Sequence, residues 1–118
     1  MAEYRLGEVE MKFADIIWEN EPIASGELVK LSEQKLNWKK STTYTILKRL
    51  CEREIFQNAD GVVSSLISKE QFQLKKSEEF LNENYGGSLP SFVAAFTSKK
   101  KLSRDEIDSL RKIIEESR

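Results

Sequence analysis

Three apolar stripes of helical period, followed by one tight turn, leave this chain few folds to adopt. Leu6, Val9, Phe13, Ile16 and Ile17 recur on one helix face, and Glu8 and Glu10 sit in the first turn, where acids suit the helix dipole. A first helix is therefore expected over residues 7–20, ended by Pro22. A second, over residues 25–35, turns Leu28 and Leu31 inward with Val29 beside them. The third, over residues 39–54, lies in the stretch NWKKSTTYTILKRLCERE, residues 37–54. The pattern then changes to IFQN, Asp60-Gly61 and VVSSLIS. Asp-Gly between aromatic and β-branched residues is a strong hairpin signal, because such a turn needs positive φ at both central positions. Helix, helix, helix, hairpin is the order of a winged helix-turn-helix.

At ~100° per residue, the third helix places Thr43, Ile46, Leu47 and Leu50 on one face. Ser41, Thr45, Lys48 and Glu52 point the other way, and Thr42, Tyr44 and Arg49 lie on the flanks. The apolar spine thus faces a core while hydroxyls and amines face out. Trp18 and Trp38 flank the helices and read as core or hinge packing, with a ligand platform as the alternative.

Beyond the hairpin, Ser68 and Gln71 form a capping box for a fourth helix that reaches Tyr85, carrying Phe72, Leu74, Phe80 and Leu81. Gly86 and Gly87 stop it. Ser88 caps a short fifth helix with Pro90 in its first turn and Leu89, Phe92, Val93 and Phe96 apolar. Lys99, Lys100 and Lys101 read as a solvated loop. Ser103 and Glu106 make a further capping box, stapled by Leu102 and Ile107, for a last helix lined by Ile107, Leu110, Ile113 and Ile114. Three such short helices enclose little alone, so they are expected to bury their apolar faces against a second copy, docking onto the first domain being the alternative. The expected fold is mainly α with a small β-hairpin: a winged helix-turn-helix over 1–68 and a helical dimerisation region over 69–118.

Composition removes most other functions. The chain has no histidine and one cysteine, Cys51, so it offers no metal cluster, no catalytic triad and no internal disulfide, and neither enzyme activity nor a cofactor or metal is expected. Cys51 follows Leu50 in an apolar stretch and reads as a buried small hydrophobe, with a reactive thiol as the alternative. No run is long and apolar enough for membrane insertion, and the start MAEYRLGEVE lacks secretory-signal character, so a cytoplasmic protein is expected.

The formal net charge of -1 hides a segregation. Between Lys35 and Arg53 six cations stand against Glu52 alone, a local +5 that leaves -6 for the remainder. Affinity for phosphate depends on that patch rather than on the total. In a helix-turn-helix the second helix of the motif enters the major groove by its N-terminal end, occupied here by Lys39, Lys40, Ser41, Thr42 and Thr45. Threonine can hydrogen-bond a base edge or meet a thymine methyl, and lysine can reach guanine or a phosphate. Lys48 shares the outward face, and Tyr44 and Arg49 suit phosphate contacts. A plain solvated surface would rarely gather Thr42, Thr43 and Thr45, all mediocre helix formers. A winged-helix protein-interaction module, an adaptor or antirepressor, is the alternative, favoured by a short hairpin whose turn carries no cation.

The run Trp38-Lys-Lys-Ser-Thr42-Thr-Tyr-Thr45-Ile-Leu-Lys-Arg49-Leu50 resembles the recognition segment of the penicillinase-repressor and copper-transport-repressor family: a Trp, then Thr-x-x-Thr, an apolar pair and Arg-Leu. LGEVEMKFADIIWENEPIASGEL resembles that family's first two helices, LISKEQF its passage into the fourth, and FLNENYGGSLPSFVAAF with KKKLSRDEIDSLRKIIEE its dimerisation region. The hairpin is shorter than the family's and lacks its Gly-Arg tip, and Lys39-Lys40 stands where Ser-Pro is frequent.

The resemblance implies a homodimeric repressor that blocks transcription of resistance or homeostasis genes from palindromic double-stranded operators with TACA/TGTA elements. By matched position, Lys40, Ser41, Thr42 and Thr45 would face the groove, with Tyr44 and Arg49 near the backbone. Phe80, Leu81, Leu89, Phe92, Val93, Phe96, Ile107, Leu110 and Ile114 would face the partner. Copper-type members carry a cysteine-rich metal motif that this chain lacks. For penicillinase-type members the resemblance implies release by a membrane sensor protease that cuts in the fifth helix, and Ala95-Phe96 occupies the comparable place.

Overall fold

The computed structural model describes residues 4–118. The first helix, α1 (Glu8–Asn20), starts where the Glu10 carboxylate accepts from the Gly7 N–H at 3.2 Å. It buries Phe13, Ala14, Ile16 and Ile17. Val9, expected on the same face, is 47% exposed. Glu21 is already extended, and β1 (Ile23–Ala24) follows.

Helix α2 (Ser25–Leu36) runs one residue beyond the expected end and stops at Asn37, whose φ of 56° is left-handed. There the Trp38 N–H returns to the Ser32 carbonyl at 3.3 Å, so Asn37 serves where glycine is commonest. Helix α3 (Lys40–Glu52) is shorter than the expected 39–54: Lys39 is an extended cap, and Glu54 turns left-handed at φ 61°. Strands β2 (Phe56–Ala59) and β3 (Val62–Ser65) meet at Asp60-Gly61, with φ of 54° and 83°, the signs that a tight hairpin requires.

The expected hairpin is one part of a three-stranded antiparallel sheet of order β1-β3-β2, in which Ile23 faces Val63 and Ala24 faces Val62. A two-residue strand carries too little periodicity to announce itself. Glu21 supports this sheet: its Oε1 accepts from both the backbone N–H and the hydroxyl of Ser65, at 2.8 and 2.7 Å.

Phe13, Ile17, Leu28, Leu50, Ile55, Phe56, Val63 and Phe72 form the buried centre. Both tryptophans pack against it. Trp18 lies 5.1 Å from Phe56 and 5.4 Å from Phe72 between ring centroids, with its indole N–H donated to the Ile67 carbonyl at 3.1 Å; Trp38 lies 5.1 Å from Phe13. Cys51 is half-buried, and burial, then the neighbouring Glu52 charge, push its thiol pKa up.

Helix α4 (Lys69–Tyr85) begins at the expected box: the Gln71 N–H donates to Ser68 Oγ at 3.1 Å, and the Ser68 N–H to Gln71 Oε1 at 2.8 Å. The chain divides into two compact units, the first ending at Glu79 and the second starting at Phe80. The first therefore extends past residue 68, because Phe72 in the first turn of α4 is fully buried in its core.

In the second unit, Gly86 and Gly87 adopt positive φ and end α4, with the Gly87 N–H donated to the Leu81 carbonyl. Helices α5 (Leu89–Thr97) and α6 (Arg104–Glu116) follow, each capped by serine: Ser88 Oγ accepts from Ser91, and Ser103 Oγ from Glu106. Glu106 returns a bond to the Ser103 backbone, which with the serine hydroxyl holds its carboxyl below the usual range. Phe92 contacts Phe80, Tyr85 and Phe96 at 5.4 to 6.0 Å between centroids. Yet no residue from Phe80 to Arg118 is buried.

Candidate nucleic-acid interface

The turn of residues 37–39 aims α3 so that its two faces have separate fates. Thr43, Leu47 and Leu50 are buried, and Ile46 is half-buried against the same core. Thr43 is a polar residue on the inner face, and its hydroxyl is satisfied by donation to the Lys39 carbonyl at 3.3 Å. Lys39, Lys40, Ser41, Thr42, Thr45, Lys48 and Arg49 are all exposed. The inward and outward sets expected from the helical wheel are therefore found on opposite sides of a real helix.

Two of these side chains, and Tyr44 beside them, carry internal partners that set what they can do. Thr45 donates its hydroxyl hydrogen to the Ser41 carbonyl at 2.8 Å. Its oxygen remains an acceptor, fitted to an adenine N6 or cytosine N4 amino group rather than to a carbonyl. Arg49 Nη1 lies 3.5 Å from Glu10 Oε2 on α1, an exposed ion pair of small worth in water. Tyr44 is half-buried, and its hydroxyl donates to Ser25 Oγ at 3.1 Å. Tyr44, expected on a flank suited to phosphate contact, thus has its hydroxyl bonded to α2, 19 residues earlier.

Two residues adjoining this surface give no local sequence signal. Ser25 reads only as a helix start, and Glu10 only as a first-turn acid, because their links to Tyr44 and Arg49 join distant segments. The hairpin turn is also engaged: the Gly61 N–H donates to Asn58 Oδ1 at 3.1 Å, and the Gly61 carbonyl accepts from the Ser25 N–H at 2.8 Å. A shallow depression of about 350 Å³ between α3 and the hairpin is lined by Tyr44, Leu47, Lys48, Cys51 and Asn58.

The residues expected at a second copy lie on the second unit. Phe80, Leu89, Val93, Phe96, Ile107, Leu110 and Ile114 are exposed apolar side chains, while Leu81 and Phe92 are half-buried. A cleft of about 520 Å³ opens between α5 and α6, walled by Phe92, Val93, Phe96, Leu102 and Leu110. Ala95 and Phe96, near the C-terminal end of α5, are both exposed. Among the described residues, no group of three or more His, Cys, Asp or Glu side chains could hold a metal ion, and no helix is long and apolar enough to cross a membrane.

Residues 6–116, which include every element above, match the family model described as penicillinase repressor. The chain belongs to the penicillinase repressor family. It is similar to the methicillin resistance regulatory protein MecI of Staphylococcus aureus (strain Mu50 / ATCC 700699), 29% identical over 115 residues and 94% of each chain. It is likewise similar to the penicillinase repressor of Bacillus licheniformis, 29% identical over 116 residues, covering 95% of this chain and 91% of that one. A penicillinase repressor of Staphylococcus aureus matches at 29% over 104 residues, 85% of this chain and 82% of the relative. As a member of the penicillinase repressor family, the chain is a DNA-binding transcriptional repressor and not an enzyme.

Proposed function

We propose that this repressor works in the cytoplasm as a homodimer, each protomer laying α3 into one of two successive major grooves of a palindromic operator with TACA/TGTA-like arms. Lys40, Ser41, Thr42 and Thr45 read or approach base edges, and Lys39, Lys48 and Arg49 serve the phosphates. The observation that carries this reading is the exposed hydroxyl and amine face of α3 over a closed apolar face. Functionally, residues 1–68 supply DNA binding and 69–118 supply dimerisation, the first core borrowing Phe72 from α4.

The second copy covers the apolar residues that α4, α5 and α6 leave open, from Phe80 and the half-buried Leu81 to Ile114. Two-fold pairing then presents recognition helices about 34 Å apart, one turn of duplex. The relatives' names suggest a resistance gene as the regulated target. Release comes from a membrane sensor protease cutting α5 between Ala95 and Phe96.

Selecting bound duplexes from a random pool tests the central reading. Enrichment of a palindrome with half-sites one helical turn apart is the expected result. Recovery of unselected sequence, with no salt-sensitive retention on duplex DNA, would leave a protein-binding module in its place.

A further inference from the structure

Ser25 holds both α3 and the hairpin turn by hydrogen bonds. Its hydroxyl oxygen accepts from Tyr44 at 3.1 Å, and its backbone N–H donates to the Gly61 carbonyl at 2.8 Å. The turn itself is fixed from within by Asn58, which accepts from the Gly61 N–H and lies with Tyr44 on the same depression. Three elements thus meet at one point: the start of α2, the N-terminal half of α3, and the end of the hairpin.

Tyr44 stands between Thr42 and Thr45, which are exposed on the outward side of α3. A helix packed on a core by apolar contacts alone keeps some freedom to roll, since such contacts are non-directional. A hydrogen bond from a rigid aromatic lever has a preferred length and angle, so it narrows that roll. Small rotations matter at a base edge, because donors and acceptors there must meet within a few tenths of an ångström. They matter little to phosphate attraction, which is long-ranged.

We infer that Ser25 is a positioning residue for base reading: through the Tyr44 hydroxyl it sets the rotation of α3 relative to the hairpin, and so the aim of Thr42 and Thr45. This rests on the reading of α3 as the base-reading helix. Ser25 touches neither base nor operator phosphate in this role, and Tyr44 acts as its lever rather than as a backbone contact.

The test uses the full chain with two probes: a duplex selected by the unmodified protein from a random pool, and a shuffled duplex of the same composition. Tyr44→Phe and Ser25→Ala are each expected to lower the selected-to-shuffled affinity ratio about three- to ten-fold, the worth of one hydrogen bond. Affinity for the shuffled duplex and its salt slope should stay unchanged. The double variant should be no worse than either single one, and Ser25→Thr, which keeps the hydroxyl, should restore the ratio. Equal weakening on both duplexes with a smaller salt slope would make Tyr44 a phosphate contact and overturn the inference, as would an unchanged ratio. Should the unmodified protein bind both duplexes alike, the base-reading role of α3 fails first and the inference falls with it.

Discussion

Arg49 Nη1 sits 3.5 Å from Glu10 Oε2, so the arginine proposed for the DNA backbone already has an anionic neighbour within its own fold. A phosphate must compete with that carboxylate. Arg49→Ala is expected to weaken binding to every sequence and to lower the salt slope by about one unit. Glu10→Gln keeps an acceptor for the Gly7 N–H but removes the competing charge, and should tighten binding to a shuffled duplex. That gain should vanish in the Arg49→Ala background. Fluorescence anisotropy across a salt series checks all three outcomes.

Thr45 is the residue to remove if base reading is to be separated from attraction. With its hydrogen spent on the Ser41 carbonyl, it offers an acceptor to a base amino group. Thr45→Ala should cost about 1 to 3 kcal/mol on the selected operator and almost nothing on shuffled DNA. Equal losses on the two duplexes would exclude Thr45 from base reading.

The second unit supplies the dimer prediction. Phe96 and Leu110 are 49% and 40% exposed, and both wall the cleft between α5 and α6. Phe96→Asp or Leu110→Asp should yield monomers in sedimentation equilibrium and lower operator affinity through lost avidity. Tight dimers from both variants would place the interface elsewhere.

Stability of the first unit should hinge on Phe72, which is fully buried beside Trp18 although it belongs to α4. Phe72→Ala is expected to cost about 3 to 5 kcal/mol in urea unfolding followed by tryptophan fluorescence. Leu74→Ala, two residues on and 60% exposed, should stay within about 0.5 kcal/mol.

Burial raises the Cys51 thiol pKa, which leaves less thiolate at any given pH than a free thiol would have. Alkylation by iodoacetamide near neutral pH should therefore be slower than that of glutathione. Its rate should begin to climb only at a more alkaline pH. Denaturing the protein should remove the difference.

Where local chemistry decides the structure, the sequence was legible. Ser68 with Gln71 and Ser103 with Glu106 announce helix starts because each pair satisfies its own backbone donors within three residues. Asp60-Gly61 announces the hairpin for a similarly local reason, and the period of Thr43, Leu47 and Leu50 orients α3. Legibility failed where partners are far apart along the chain. Ile23-Ala24 becomes a strand only because Val62 and Val63 arrive beside it, and the Tyr44 hydroxyl is claimed by a serine whose own neighbourhood says only that a helix begins. The outward set of the candidate site could be read from the wheel, while the constraints upon it could not.

A unit in which every side chain from Phe80 to Arg118 keeps some contact with water has no interior to call its own. In the proposed dimer, its order is then a function of how many copies the cell holds. Dilution should loosen this half before the other, and operator occupancy should follow roughly the square of chain concentration while monomers dominate. A modest fall in copy number would thereby open the promoter more sharply than a monomeric binder could.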